Sequence, residues 1–530
     1  MCDISWRHFL HLRTRIMVVD CLEEQKDKTM VNAVRRKCMA KIVWALIVWI
    51  LIPLYSSRCL SAVQRECRSV WVATIGGLDW PKVKANSPAM VEAQKRELCQ
   101  LLDAVQQAGF NTIFFQTRIR STVIYRSAFE PWDDCLTGHA GKDPGYDPLA
   151  FAVDECHRRK LQLHAWVVAF PGHKVSASVR LGSCAMDKRL PALCMKTGDT
   201  WMLNPGVPST ADYLAGICQE IVRGYDVDGI HLDYVRYPEH SIPFNDAKTY
   251  RQYGKGLSKE TWRCDNVTRC VRSVYQGVKS IKPWVWVSCS PVGKYCDLPR
   301  QDSRGWNAYD AVYQDAQKWL SQGIMDMLVP MMYFRLDSHF YPFALDWKES
   351  SCDRPIVIGT AAYQLDPKEA DWPLATIRKQ LGFSRTIGAG GQAFFRCRYV
   401  LENVKSLYGF LKDDFYSTPS MPLAMTWMGV PLPAPPCHVR LEKDVDGFLL
   451  KWEASASRYP IAGYNLYICF PKKDGSISLG CPWEVLRQEN FYRIPWQIPQ
   501  ELFPVVAITT VDRFGQESKP AWFCTEELGH

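Results

Sequence analysis

No low-complexity tract interrupts the 530 residues, and no apolar run reaches the ~20 residues that a membrane-spanning helix needs. No Gly-rich phosphate loop follows an early strand, which argues against an open doubly wound nucleotide-binding sheet. No HxH or HExxH pattern supports a metal centre. Cysteine is plentiful at 21 residues, yet it never takes the paired spacing of a zinc site. The cysteines are dispersed through apparent strands and helices and read mostly as small buried hydrophobes, with a few free to pair. Charge of one sign is also weak. The formal excess is +9, but residues 1–62 hold 10 Lys or Arg against 5 Asp or Glu, which leaves +4 for the remainder. That is too mild and too scattered for nucleic acid.

The basic N-terminus has its own explanation. Arg35, Arg36, Lys37 and Lys41 precede an apolar run from Ile42 to Tyr55, followed by SSRCLSA at 56–62. A charged region, a short apolar core and a small-residue site define a secretory signal peptide. Residues 1–38 then read as an over-called start, with Met30 or Met39 as a normal beginning. An uncleaved segment is the only membrane contact this arrangement allows. Cys59 follows Arg58 where a lipoprotein would place a small residue, so lipidation is not expected. Export implies a periplasmic or outer-surface location.

Between residues 69 and 412, strand-like and helix-like runs alternate. Strand candidates lie at 69–75, 111–119, 161–170, 228–237, 285–291, 325–334, 355–363 and 390–399. Helical patterns fill 91–108, 148–159, 208–224, 261–280, 310–322, 372–380 and 401–412. Eight such units predict an α/β fold, a (β/α)8 TIM barrel over residues 63–416. The segments 171–200 and 239–260 are long for simple loops and fall on the C-terminal, catalytic face. A Pro-rich linker follows at 417–436. Residues 437–530 then carry short strands with polar turns and predict a small all-β immunoglobulin-like sandwich.

In such a barrel, working residues sit at strand C-termini and in the loops beyond them. The run DVDGIHLDYVRYP (226–238) alternates His231 and Asp233 on one face with Ile230 and Leu232 on the other. Tyr234, Arg236 and Tyr237 follow before Pro238. Reading the other strand ends adds Asp79, Trp80, Gln116, Arg118, His164, Trp166, Tyr333 and Arg396, with Asn204 in the insertion over the rim. The sequence holds 20 Trp, and flat rings suit sugar faces, although large cores use Trp as well.

Glycosidic hydrolysis takes two carboxyl groups. Asp233 is the first candidate, as nucleophile or base. The fifth strand end, SCSPVGKY, offers no acid, so Glu130 in FEPW becomes the candidate acid, desolvated between aromatics. Asp79 and Asp133 are other rim acids. The competing reading is that Glu130 pairs with Arg118 or Arg120 and fastens the loop. His164, His231 and Asp233 resemble a two-His-one-carboxylate metal set, but neutral histidines hydrogen-bonding inside the barrel explain them more simply. Neither metal nor cofactor is expected. Asp228 and Asp326, at strand starts, read as structural. Substrate contacts are expected from Asp79, Trp80, Arg118, His164, Trp166, Asn204, His231, Tyr234, Arg236, Tyr333 and Arg396.

The motifs WVATIGGLDWP, FFQTRIRSTVIYRSAFEPWDDCLTG, GKDPGYDPLAFAVDECHRRKLQLHAWVV, LNPGVP, VDGIHLDYVRYP, SPVGKY and LVPMMYF, in this order over roughly 65–415, resemble the glycosyl-hydrolase-like 10 family. The resemblance implies a barrel related to amylase-like glycosidases, in exported bacterial proteins frequent in gut Bacteroidetes. It implies action on a bacterial cell-wall or dietary polysaccharide, some relatives being thought to cut peptidoglycan glycan strands. Asp233 matches the fourth-strand nucleophile of the amylase-like pattern. That pattern carries an Arg two residues earlier, where this chain has His231, and an acid on strand five, where this chain has none. The tail resembles the fibronectin type III module often appended to such barrels. The two readings that follow are an exported glycoside hydrolase and a non-catalytic carbohydrate-binding barrel.

Overall fold

The computed structural model describes residues 65–299, 303–445, 447–469, 479, 482, 484–486, 489–495 and 505–524. The signal-peptide reading of residues 1–62 falls outside them. The first barrel strands are β1 (Cys67–Val72), β2 (Thr112–Arg118) and β3 (Gln162–Val168). An insertion after β3 holds a small antiparallel sheet of β4 (Pro171–Lys174), β5 (Cys194–Thr197) and β6 (Thr200–Leu203). The barrel resumes with β7 (Gly229–Asp233), β8 (Trp286–Cys289), β9 (Met327–Leu328), β10 (Val357–Thr360) and β11 (Gly391–Phe394).

The order β10-β11-β1-β2-β3-β7-β8-β9 is parallel throughout. Parallel bridges Leu328↔Ile356 and Met331↔Gly359 join β9 to β10 and close the barrel. Closure removes the open edges of the sheet. The eight-stranded expectation therefore holds.

The period-two alternation of the sequence sorts the strand residues. Val70, Val72, Ile113, Phe115, Ile230 and Leu232 face the helices. Trp71, Phe114, Trp166, Trp286, Met327 and Ala393 fill the barrel interior. Helices start where the sequence supplies caps: Ser87 accepts from the Met90 N–H ahead of Pro88–Gln107, and Asp147 accepts from Leu149 and Ala150 ahead of Pro148–Arg158.

Three local expectations fail for identifiable reasons. The sixth strand shrinks to two residues because Pro330 has no N–H for the ladder. The helix expected over 310–322 splits into Ala308–Val312 and Ala316–Ser321, because Tyr313 between them turns left-handed at φ 60°. Asp337–Glu349 is helical although the sequence reading placed no helix there. Pro342 interrupts the pattern, yet Phe340, Phe343, Ala344 and Trp347 form a buried stripe at helical spacing.

Beyond the barrel, β12 (Cys437–Asp444), β13 (Gly447–Glu453) and β16 (Phe491–Pro495) form one antiparallel sheet. A second antiparallel sheet joins β14 (Ile461–Cys469), β15 (Glu484–Leu486), β17 (Val505–Asp512) and β18 (Ala521–Cys524). Leu450, Trp452, Tyr464, Leu466, Val506 and Ile508 are buried together in their core. The second sheet reaches the N-terminal face of the barrel, where Arg513 meets Asp226 at 2.7 Å just before β7. Phe514 joins Trp286 and Met425 in the cluster continuous with the barrel interior. The opposite face is left to the insertions. Nine cysteines among the described residues are buried.

Candidate active site

Strand β7 carries its polar residues inward. His231 lies in the barrel interior, fully buried, stacked on Phe114 with ring centroids 4.1 Å apart. Trp71 Nε1 donates to its Nε2 at 3.1 Å, so Nδ1 holds the proton and donates to Ser288 Oγ at 2.9 Å. His164 sits against the same Phe114, and neither of its nitrogens has a hydrogen-bond partner. Burial pushes the His164 imidazole down to about 4 and His231 well below its ordinary value. Both rings are therefore neutral core residues. Enclosed as they are, they do not reach a substrate, which corrects their assignment as sugar contacts.

Two residues further along the same face, Asp233 reaches the mouth, where burial is still 94% complete (6% exposed). Its Oδ1 accepts from Ser290 Oγ at 3.0 Å and from the Tyr234 N–H at 2.8 Å, and its Oδ2 accepts from Trp166 Nε1 at 3.1 Å. Burial raises its pKa above the usual carboxylate range, against the pull of Arg236 and these three donors. Burial thus favours the protonated form of this carboxyl, the direction that a proton donor requires. No ion pair within 4 Å joins Asp233 to Arg236 among the described residues. Instead the Arg236 guanidinium covers the rings of Tyr234 and Trp306, 4.9 and 5.5 Å from their centroids.

Tyr234 turns left-handed at φ 49° and leaves its ring 44% exposed at the rim. It borders a pocket of about 240 Å³ with Arg120, Asp199, Thr200, Arg236 and Glu239. Asp199 comes from the tip of the β5–β6 hairpin. The Thr200 hydroxyl and Lys174 hold its carboxyl below the usual range. The two carboxyl groups shift in opposite directions, Asp233 up and Asp199 down, and Asp233 itself is not among the residues that line this pocket.

Other expected contacts serve the frame. Glu130 receives both Arg118 Nε and Nη2, at 2.8 and 2.7 Å, and Tyr213 Oη at 3.0 Å. Neither Arg118 nor Glu130 exposes any side-chain surface. Both carboxylate oxygens are committed, so the loop-fastening role fits the geometry, and Glu130 does not present itself as an acid, nor Arg118 as a sugar contact. Asp79 is held by Arg396 at 2.5 Å and by the N–H groups of Ala73 and Arg398, tying the β1 loop to the end of β11. Trp80 is fully buried and donates to the Gln94 carbonyl. Asn204 braces its own turn through Gly206 N–H and reaches Thr249. Asp133 is buried on Thr122 and the Cys135 N–H. Trp166, Asp233, Tyr234 and Arg236 do converge, and half-buried Tyr333 lies within electrostatic reach of Asp233.

The sequence reading missed Ser290, Asp199 and Trp306, and named Arg120 only as a partner for Glu130, whereas it lines the pocket. Ser290 stands in SCSP, a strand end without an acid, and a lone hydroxyl there carries no local signal. Asp199 gave no local signal, because its hairpin lies within a segment read as irregular.

A closed parallel barrel with polar side chains at its strand ends is the architecture of many unrelated enzyme families. A family model described as glycosyl hydrolase-like 10 matches residues 66–372, and the chain belongs to that family. Glycosyl hydrolase YngK of Bacillus subtilis (strain 168) is 30% identical over 511 residues, 91% of this chain and 98% of the relative. Glycosyl hydrolase DigH of Escherichia coli (strain K12) is 32% identical over 372 residues, 64% of this chain and 84% of the relative. Among solved structures, the PgaB (BpsB) glycoside hydrolase domain from Bordetella bronchiseptica is 12% identical with a TM-score of 0.43, over 66% of this chain and 98% of that one.

Proposed function

We propose that this protein is an exported glycoside hydrolase that cleaves a polysaccharide of bacterial cell-wall or dietary origin, with Asp233 as its principal catalytic carboxyl. The supporting observation is the setting of Asp233: an inward strand end, three donors, and a pKa raised by burial. In this reading protonated Asp233 donates to the leaving glycosidic oxygen. Asp199, kept ionised by Thr200 and Lys174, takes the proton of the attacking water. Trp306 and Tyr234 supply flat faces for pyranose rings, and Arg236 orients both. This assignment replaces Glu130, whose oxygens are spent on Arg118. The C-terminal sheets read as a fibronectin type III-like accessory module remote from the chemistry.

A second reading, a carbohydrate-binding barrel without catalysis, is favoured by the same Arg118–Glu130 pair, which removes one of the rim acids. Product analysis separates the two. Mature protein is incubated with denuded peptidoglycan strands and a polysaccharide panel, and new reducing ends are counted. Asp233→Asn is expected to lose ~10²- to 10⁴-fold in rate, the usual contribution of a positioned acid. Asp199→Asn should fall in the same direction. Binding with no cleavage of any glycan by the wild type would establish the second reading instead.

A further inference from the structure

Cys437 opens β12 and has Glu453, the last residue of β13, as its cross-strand partner. In a regular strand His438 would point to the face opposite Cys437. Here the register shifts between Cys437 and Arg440, and His438 takes φ 50°, an uncommon conformation for a residue with a side chain. Bulges of this kind re-aim side chains. The His438 ring comes back over the partner strand, its Nδ1 2.9 Å from Glu453 Oε2. Cys437 Sγ lies 3.7 Å from the Glu453 carbonyl oxygen. One donor atom from each of the three side chains lies within 4.8 Å of the other two. Arg440 Nη1 stands 3.7 Å from the remaining carboxylate oxygen, Oε1.

We propose that Cys437, His438 and Glu453 bind a zinc-class divalent cation that clips β12 to β13. A tetrahedral zinc with bonds of ~2.0–2.3 Å sets its ligand atoms about 3.3–3.8 Å apart. Closing the set from 4.8 Å takes movements of about 1 Å or less in side chains that face solvent. Thiolate and imidazole select zinc or another late first-row ion over magnesium or calcium. The charges balance as well: thiolate and carboxylate offset the dication, and the thiol proton leaves to solvent on binding. Arg440 would hold the second carboxylate oxygen and so orient the ligand. The fourth position faces water.

The place of the site gives it a purpose. The Pro-rich segment enters the sheet here, and Ser455 Oγ donates to the Pro435 carbonyl at 2.5 Å. A cation on Cys437 and Glu453 fixes that entry point, where otherwise only an exposed imidazole–carboxylate pair would. That pair needs the bulge but not the thiol. The metal needs both.

The full chain, freed of metal with a chelator and kept reduced, is titrated with Zn²⁺ against a chromophoric chelator and, separately, with Co²⁺. Expected are one equivalent bound at micromolar affinity or tighter, a cobalt–thiolate charge-transfer band, and a higher Tm. Cys437→Ser and His438→Asn should each weaken binding at least tenfold and abolish the band, Asn being chosen because it tolerates a left-handed backbone. Metal affinity unchanged in both variants would assign any bound ion to other cysteines and overturn the proposal. So would the absence of the cobalt band and of any Tm shift in the wild type.

Discussion

Trp166 donates its indole N–H to Asp233 Oδ2 at 3.1 Å, from the strand beside β7. Ser290 donates to the other oxygen from the strand on the opposite side. The carboxyl that ends β7 is thus held by its two neighbours in the barrel, and its orientation is a product of sheet order.

Burial raises the pKa of Asp233, and Arg236 and the three donors pull against that rise. A hydrogen bond to a charged group contributes ~1.5–3 kcal/mol, and 1.36 kcal/mol is one pKa unit. Ser290→Ala removes a donor that favours the ionised form, so the Asp233 pKa should rise further. If Asp233 acts as the acid, activity falls as pH climbs through that pKa, and the alkaline limb of kcat/KM moves to higher pH in the variant. An unmoved limb would dissociate Asp233 from the rate-controlling proton.

Glu130→Gln tests framework against chemistry. Breaking one side of a buried ion pair costs about 3–5 kcal/mol. The variant should therefore show a lower urea midpoint and an earlier thermal transition, with Arg118 left unpaired. A variant of wild-type stability and no activity would instead return Glu130 to the catalytic role.

Buried His164 couples stability to acidity. Its native pKa of about 4 lies below the ordinary value of 6.5. The unfolded chain therefore binds a proton that the native state refuses, so stability is full above pH 6.5 and drains as pH falls toward 4. The size is about 3 kcal/mol over that window, and His231 adds with the same sign. Urea midpoints at pH 7 and pH 5 should differ less in His164→Leu than in the wild type.

Gly229 is fixed by the same ring. A Cβ there would overlap the His164 imidazole. Gly229→Ala should cost about 1–3 kcal/mol by overpacking, with much of the loss recovered when His164 is shortened to Ala. Independent, additive losses in the double variant would contradict that contact.

Periodicity carried much of the architecture. Ile230 and Leu232 had to face helices if His231 and Asp233 faced inward, because successive strand residues alternate sides. Asp228 and Asp326, read as structural, do take that part: Asp228 accepts from the Leu163 N–H and lies 2.9 Å from His157, while Asp326 accepts from the Val287 N–H and pairs with Lys279. Glu130 shows the limit. FEPW predicted a desolvated carboxyl, and desolvated it is, but Arg118 twelve residues away decides what the burial is for.

The sequence by itself determined the strands, their inward faces and the family, since each depends on residues close in the chain or on motifs in order. Only the tertiary structure decided that two residues of pleat separate a core histidine from a carboxyl at the mouth. It also decided that a hairpin tip brings Asp199 to the pocket beside Tyr234 and Arg236, and that a bulge gathers Cys437, His438 and Glu453. These are convergences of distant segments. They follow from barrel closure, strand order and register, none of which a local pattern encodes.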